Sequence, residues 1–376
     1  MSPTRTAATI FNVDFLRGIT ALAVLVWHYQ HFFYPSAGVS LAVTDRPLQP
    51  FYSSLRWLYE YGANGVQFFW VLSGFVFFHA YRSRDNISLK EFFINRFSRL
   101  YPLHLMTLLL VALLQTVSQY AVGHQQIYPF NDFYHFLLNI FLASHWGFQK
   151  GYSFNAPIWS VSVEIITYIF FFAYLKTAGI RLCSALVWLA VIYVAFQGPD
   201  TNSFAQCTIL FALGGLVHEL QFWINSRTPK WVSPLGAITL TTSLLVYLYI
   251  KGAWNPTVVV FALFPSLIWL AASAETIGFS SGRIGELVGN TTYASYLIHV
   301  PIQVAFMTVA DLFLIDRMDI AKTPAFFVFY IAAVFLLSHF IFKHVELPSK
   351  RRIQAWLNPA LRNRAIQEPL IQPLKS

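Results

Sequence analysis

Charge is scarce in this sequence. Only 11% of its 376 residues are Asp, Glu, Lys or Arg, where soluble globular domains carry about 25%. That shortage excludes a soluble domain. The formal net charge is nonetheless +9. The basic residues lie between hydrophobic runs and at the C-terminal end, as topology signals do, so a nucleic-acid-binding function is excluded as well. Cysteine is nearly absent: Cys183 and Cys207 stand alone in apolar segments, with no CxxC or metal-ligand spacing, and read as small core hydrophobes. No HExxH, GxSxG or P-loop occurs, which removes the common zinc, serine-hydrolase and nucleotide sites. Period-2 alternation is missing, which argues against a β-barrel. No internal repeat of the transporter kind is visible.

Long apolar runs take the place of these features. The chain is 56% hydrophobic, with 37 Phe, 19 Tyr and 11 Trp suited to lipid-facing surfaces and interfacial belts. Ten stretches of spanning length are expected, at 11–34, 62–80, 100–121, 157–176, 181–197, 204–222, 233–250, 256–273, 291–314 and 325–344. The first is too long for a signal peptide and lacks a small-residue cleavage site. Phe133 to Trp146 is apolar but short, and suits an interfacial or re-entrant piece. With ten spans and both termini in the cytoplasm, 18 Lys and Arg fall inside and 6 outside, Arg17 remaining within the first span. The predicted class is therefore an all-α integral membrane protein with about ten transmembrane helices. A transmembrane domain is expected over 1–348 and a basic cytoplasmic tail over 349–376, with no room for an appended soluble catalytic domain.

Ionisable residues inside spans are costly and by default mark a functional path. The first span, DFLRGITALAVLVWHYQH from Asp14 to His31, carries Arg17 and His28 eleven residues apart. That is close to three helical turns, so both leave the same face, about 16 Å apart along the axis. Singly, Arg17 is explained as a snorkelling anchor and His28 as a fastener between helices. Glu164 in PIWSVSVE is expected about 10 Å below the outer surface at 1.5 Å per residue, level with His28, where a carboxylate would orient an imidazole. Arg96 and Arg99 in NRFSRLYP share a helix face on the cytoplasmic side. Arginine forks suit phosphates, and a topology anchor is the plainer alternative. His299 lies within NTTYASYLIHVP ahead of Pro301, which is expected to bend the helix; it lines a substrate path or fastens helices.

The run DFLRGITALAVLVWHYQ, followed by FFWVLSGFVF, NRFSRLYP, IWSVSVE and YLIHVP, resembles the membrane-bound acyltransferase-3 family in order, from about 11 to 344. That family includes O-antigen and exopolysaccharide acetylases, nodulation-factor acetylases and macrolide acylases. The family's aspartate-glycine opening is here Asp14-Phe15-Leu16, and its acidic pair is here Glu164-Ile165. The resemblance implies transfer of an acyl group, usually acetyl, from cytoplasmic acyl-CoA to a hydroxyl of a glycan or lipid-linked sugar in the cell envelope. It implies location in the bacterial inner membrane among its lipids, with no permanently bound cofactor, no metal and no nucleic acid. Arg17, His28 and Glu164 are then the catalytic candidates, and Arg96 and Arg99 join Arg17 at the CoA end. Trp159, Ser160, Ser162 and His299 are candidate acceptor contacts. His28 acts as general base or as acyl carrier. The competing function is a proton-coupled transporter or flippase that uses the same His, Arg and Glu residues as a polar path.

Overall fold

In the computed structural model, residues 9–84, 88–195, 203–252 and 254–357 are described, and they contain helices and loops but no strand. In chain order the helices are α1 (Phe11–His28), α2 (Tyr52–Tyr61), α3 (Gly65–Tyr81), α4 (Leu89–Val122), α5 (Phe133–Ile140), α6 (Trp159–Thr177), α7 (Leu182–Ala195) and α8 (Ser203–Asn225). They continue as α9 (Val232–Lys251), α10 (Pro256–Thr276), α11 (Gly282–Leu312), α12 (Arg317–Ala321) and α13 (Pro324–Leu357). Among the described residues seven are long and apolar enough to cross a membrane: α4, α6 (with the turn before it), α8, α9, α10, α11 and α13. The other three expected spans are also helices. α1 carries Asn12, Asp14, Arg17 and His28 in its 18 residues, while α3 and α7 have 17 and 14 residues.

The centre of the bundle is α11. Of its most apolar window 72% is buried, against 28% for α13. Pro301 does not interrupt it; the helix runs 31 residues through that position. α1 lies along α11 and ends in a tight helical turn at Tyr29–Phe33. Tyr34 is extended because the following Pro35 disfavours a helical residue before it.

Two boundaries differ from expectation. α4 begins at Leu89, where the Ser88 hydroxyl caps the Glu91 amide at 3.1 Å, so Arg96 and Arg99 are helical and not in a loop. At about 1.5 Å per residue its 34 residues exceed the roughly 30 Å hydrocarbon core. At the other end the chain stays helical past Pro348 to Leu357 and docks on α4, with the Gln354 amide donating to Asn95 Oδ1 at 2.9 Å. Of the expected basic tail, 358–376 lie outside the described residues. α5, eight residues long, reaches only about 12 Å, too short to cross. It is fastened to α4 by His104 Nε2, which donates to the Asn139 carbonyl at 2.8 Å. Cys207 is buried as expected, but Cys183 is exposed on α7, where an apolar thiol faces outward.

Close helix contacts depend on missing side chains. α3 and α8 meet where Gly74 faces the Phe211 carbonyl and Gly214 faces that of Val71; a Cβ on Gly214 would sit 1.8 Å from the Val71 oxygen. Gly214→Ala should therefore lower the thermal unfolding midpoint in detergent, with overpacking costing about 1–3 kcal/mol. Gly236→Ala, whose added methyl meets only the Trp269 ring at 3.3 Å, should leave the midpoint unchanged or raise it, because alanine is the better helix former. Equal midpoints for the two variants would contradict this packing.

Candidate active site

Two cavities meet inside the bundle. The first, about 130 Å³, lies beside the N-terminal half of α1 and is lined by Arg17, Ser73, Arg96, Arg99, Ser160, Glu164 and Tyr168, with Tyr293 and Tyr296 from α11. The second, about 540 Å³, lies at the opposite end of α1 under the 35–61 and 122–156 loops. Its wall includes His28, His31, Trp27, Tyr34, Arg46, Tyr128, Tyr152, Trp159 and again Tyr296. Arg17 and His28 leave one face of α1, as their spacing predicts, and that face opens on both chambers in turn.

The first chamber is rich in positive charge. Arg17 Nη1 pairs with Asp14 Oδ1 at 2.7 Å. Arg96 lies over the Phe77 ring, 4.4 Å from its centroid, and its buried Nε has no partner. Arg99 is set by the α4–α11 contact, where the Tyr293 hydroxyl donates to the Leu100 carbonyl at 2.6 Å. Among the described residues no carboxylate lies within ion-pair reach of Arg96 or Arg99. Glu164 belongs to this chamber, whose wall it shares with Ser73 and Tyr168. The expectation that Glu164 stands level with His28 is thus corrected. α6 starts at Trp159, close to the expected position, but packing sets Glu164 on the wall of the arginine chamber and not of the chamber that holds His28.

In the second chamber His28 Nδ1 lies 2.8 Å from the Val24 carbonyl. A carbonyl only accepts, so Nδ1 carries the proton and Nε2 keeps its lone pair. His28 is the last residue of α1, and among the described residues no carboxylate lines the chamber around it. His299 faces His28 with ring centroids 4.7 Å apart. It is tied in the same way, Nδ1 to the Ser295 carbonyl at 3.2 Å, and its Nε2 is buried without a partner. Gln303 clamps the end of α1: its Nε2 donates to the His28 carbonyl at 2.9 Å, and its Oε1 accepts from His31 Nδ1 at 2.9 Å. Three imidazoles meet here, yet among the described residues no group of three or more His, Cys, Asp or Glu is arranged to hold a metal.

Tyr296 is the partition. Its hydroxyl donates to the Pro157 carbonyl at 2.8 Å, with Ser160 Oγ 2.9 Å away. Trp159 faces the second chamber and Ser160 the first. Ser162 lines neither. It is fully buried and holds the loop above, its Oγ accepting from the His145 amide at 3.2 Å and its carbonyl from the Trp146 indole at 2.8 Å.

A family model described as an acyltransferase domain, that of the acyltransferase-3 family, matches residues 10–343. The chain belongs to this family. It is 26% identical over 314 residues to the acyltransferase MdmB of Streptomyces mycarofaciens, which covers 76% of each chain. It is 22% identical over 388 aligned positions to the peptidoglycan O-acetyltransferase OatA of Listeria monocytogenes, covering 90% of this chain and 56% of that one, so it spans little more than half of the latter's length. No solved structure matches.

Sequence reasoning overlooked Tyr296, Gln303, His31 and Arg46. Tyr296 and Gln303 are spaced i−3 and i+4 from His299, on one helix face, and an amide inside the apolar run VPIQVAF was a readable signal. Gln303→Leu should strand the His28 carbonyl and His31 Nδ1, costing about 1–3 kcal/mol of stability. Thermal unfolding in detergent measures the loss, and nitrogen-15 spectra of the histidine rings should show His31 changed.

Proposed function

We propose that the protein transfers an acetyl group from acetyl-CoA to a hydroxyl of a cell-envelope glycan across a bacterial cytoplasmic membrane. One observation carries the reading: a single helix face presents Arg17 to an arginine-rich chamber and His28 to an aromatic chamber, with Tyr296 between. Charge bias puts the arginine chamber on the cytoplasmic side, with both termini inside and ten spans. The donor enters there. Arg96 and Arg99 form no direct ion pair that a donor must break, and their planar forks suit the CoA phosphates. Arg17, held by Asp14, guides the pantetheine arm, and Glu164 offsets part of the cluster's positive charge when the donor is absent.

The thioester then passes Tyr296 to reach His28. The acceptor hydroxyl gives its proton to His28 Nε2 and its oxygen attacks the thioester carbonyl carbon. The tetrahedral intermediate collapses with cleavage of the C–S bond, and the CoA sulfur leaves with the proton held by His28. His299 packs against the imidazole and keeps it facing the chamber. Trp159 and the tyrosines of the second chamber offer aromatic faces for a sugar.

Purified protein in lipid nanodiscs, given radiolabelled acetyl-CoA and cell-envelope glycans, should release CoA only when acceptor is present. Transmembrane flux of acetyl-CoA or glycan into sealed proteoliposomes, without CoA turnover, would establish the carrier function in its place. His28→Ala should abolish transfer while leaving membrane insertion intact, and near-wild-type turnover in that variant would refute the mechanism.

The arginines separate phosphate binding from simple anchoring. Arg99→Lys keeps the charge but loses the fork. It should raise the apparent KM for acetyl-CoA and leave that for the glycan unchanged. The cost is about 1.5–3 kcal/mol for a hydrogen bond to a charged group, or roughly one to two powers of ten in kcat/KM. Unchanged acetyl-CoA kinetics would assign Arg99 to topology alone.

A further inference from the structure

Among the described residues, one Lys or Arg lines the second chamber, and it makes no ion pair there. Arg46 comes from the helical turn Val43–Leu48 in the loop that roofs the chamber, and its side chain lines the cavity wall. No Asp or Glu lines that cavity, and the other chamber-facing groups are aromatic, aliphatic, hydroxyl, amide or imidazole. Among the described residues no carboxylate lies within ion-pair reach of Arg46. Glu60 is close enough to feel the Arg46 charge, but it forms no ion pair with it, and its Oε1 is already bonded by Arg56 and Tyr52, each at 2.8 Å. The Arg46 Nε is buried and has no hydrogen-bond partner. A buried guanidinium donor without an acceptor is costly, and a surface anchor would not be turned inward over an aromatic-walled cavity.

We infer that the acceptor is an acidic sugar, whose oxyanion (a carboxylate or a phosphate) pairs with Arg46 while its ring lies against the aromatic walls and a hydroxyl reaches His28. This rests on the reading of the second chamber as the acceptor site and narrows it to a substrate class. Planar arginine binds a carboxylate or a phosphate through two parallel hydrogen bonds, which fixes orientation as well as affinity. The aromatic faces at Trp27, Tyr152 and Trp159 supply the apolar contact that sugar rings use. A neutral glycan would leave Arg46 unpaired, so the site discriminates against it as much as it favours the acid.

The test is binding to full-length protein in nanodiscs, followed by saturation-transfer NMR titration. The probes are two matched pairs: a glucuronate-terminated disaccharide with its methyl ester, and cellobiose phosphate with cellobiose. In at least one pair the charged member should bind tenfold or more tightly than its neutral counterpart. The pair that shows the preference names the oxyanion. Arg46→Gln should reduce the preference to within twofold, and Arg46→Lys should restore part of it, with thermal midpoints confirming that both variants fold. The inference is overturned if neither charged probe outbinds its neutral partner, or if the preference survives in Arg46→Gln. Acetyl-CoA binding is titrated in parallel. Its absence alongside an intact Arg46-dependent preference would count against the proposed donor and leave the acidic acceptor standing.

Discussion

The contact on which the site depends is the close approach of α1 to α11. Gly18 on α1 faces Val288, while Gly285 and Gly289 on α11 face the Phe11 carbonyl and Asp14. Without a driving force from water between helices in lipid, such contacts depend on small residues that let backbones come near. Once the two helices are this close, His28 meets His299, Gln303 reaches the end of α1, and Arg17 shares a wall with Tyr293 and Tyr296. A side chain at Gly289 would push Asp14 away and with it the group that holds Arg17.

The arrangement then separates two kinds of chemistry along one helix. At the Asp14 end, three arginines against one glutamate line a chamber of net positive charge. At the His28 end, a neutral imidazole with its lone pair turned outward sits among aromatic rings. The partition is a tyrosine whose hydroxyl is tied to the turn that starts α6. The same hydrogen bonds set the histidine tautomers, since each Nδ1 is taken by a carbonyl one turn earlier in its own helix.

Outside this core, polar contacts fix the loops that roof the second chamber. Arg317 donates to Asp311, to Gln126 and to the Tyr34 carbonyl, and His124 adds a contact to Asp311. These residues come from three separate stretches of chain, so the roof is held at its edges while Arg46 is left to face the cavity. A second polar cluster, with Arg82 paired to Glu219 and lying over the Phe222 ring, closes the bundle at the opposite end, and His218 bonds the same carboxylate.

The sequence by itself determined the all-α membrane class, the family and the shared face of Arg17 and His28. The family follows from the resemblance of its motifs in their order, the class from composition, and the shared face from spacing within one helix, which local geometry dictates. Arg96 and Arg99 were legible for the same reason, although the helix that carries them begins earlier than hydropathy suggests, because a capping serine and a helix-compatible run outweigh their polarity. Tertiary structure alone decided that Glu164 joins the arginines, that Ser162 braces a loop, and that Tyr296 divides two chambers. Position along one helix does not say which neighbouring helices a residue faces, and the packing of α6 against α3, α4 and α11 sets Glu164 beside the arginines. Arg46 was invisible as a site residue for a related reason. Nothing in a loop sequence says which way its arginine turns, and only the packing of the roof over α1 aims it at the cavity.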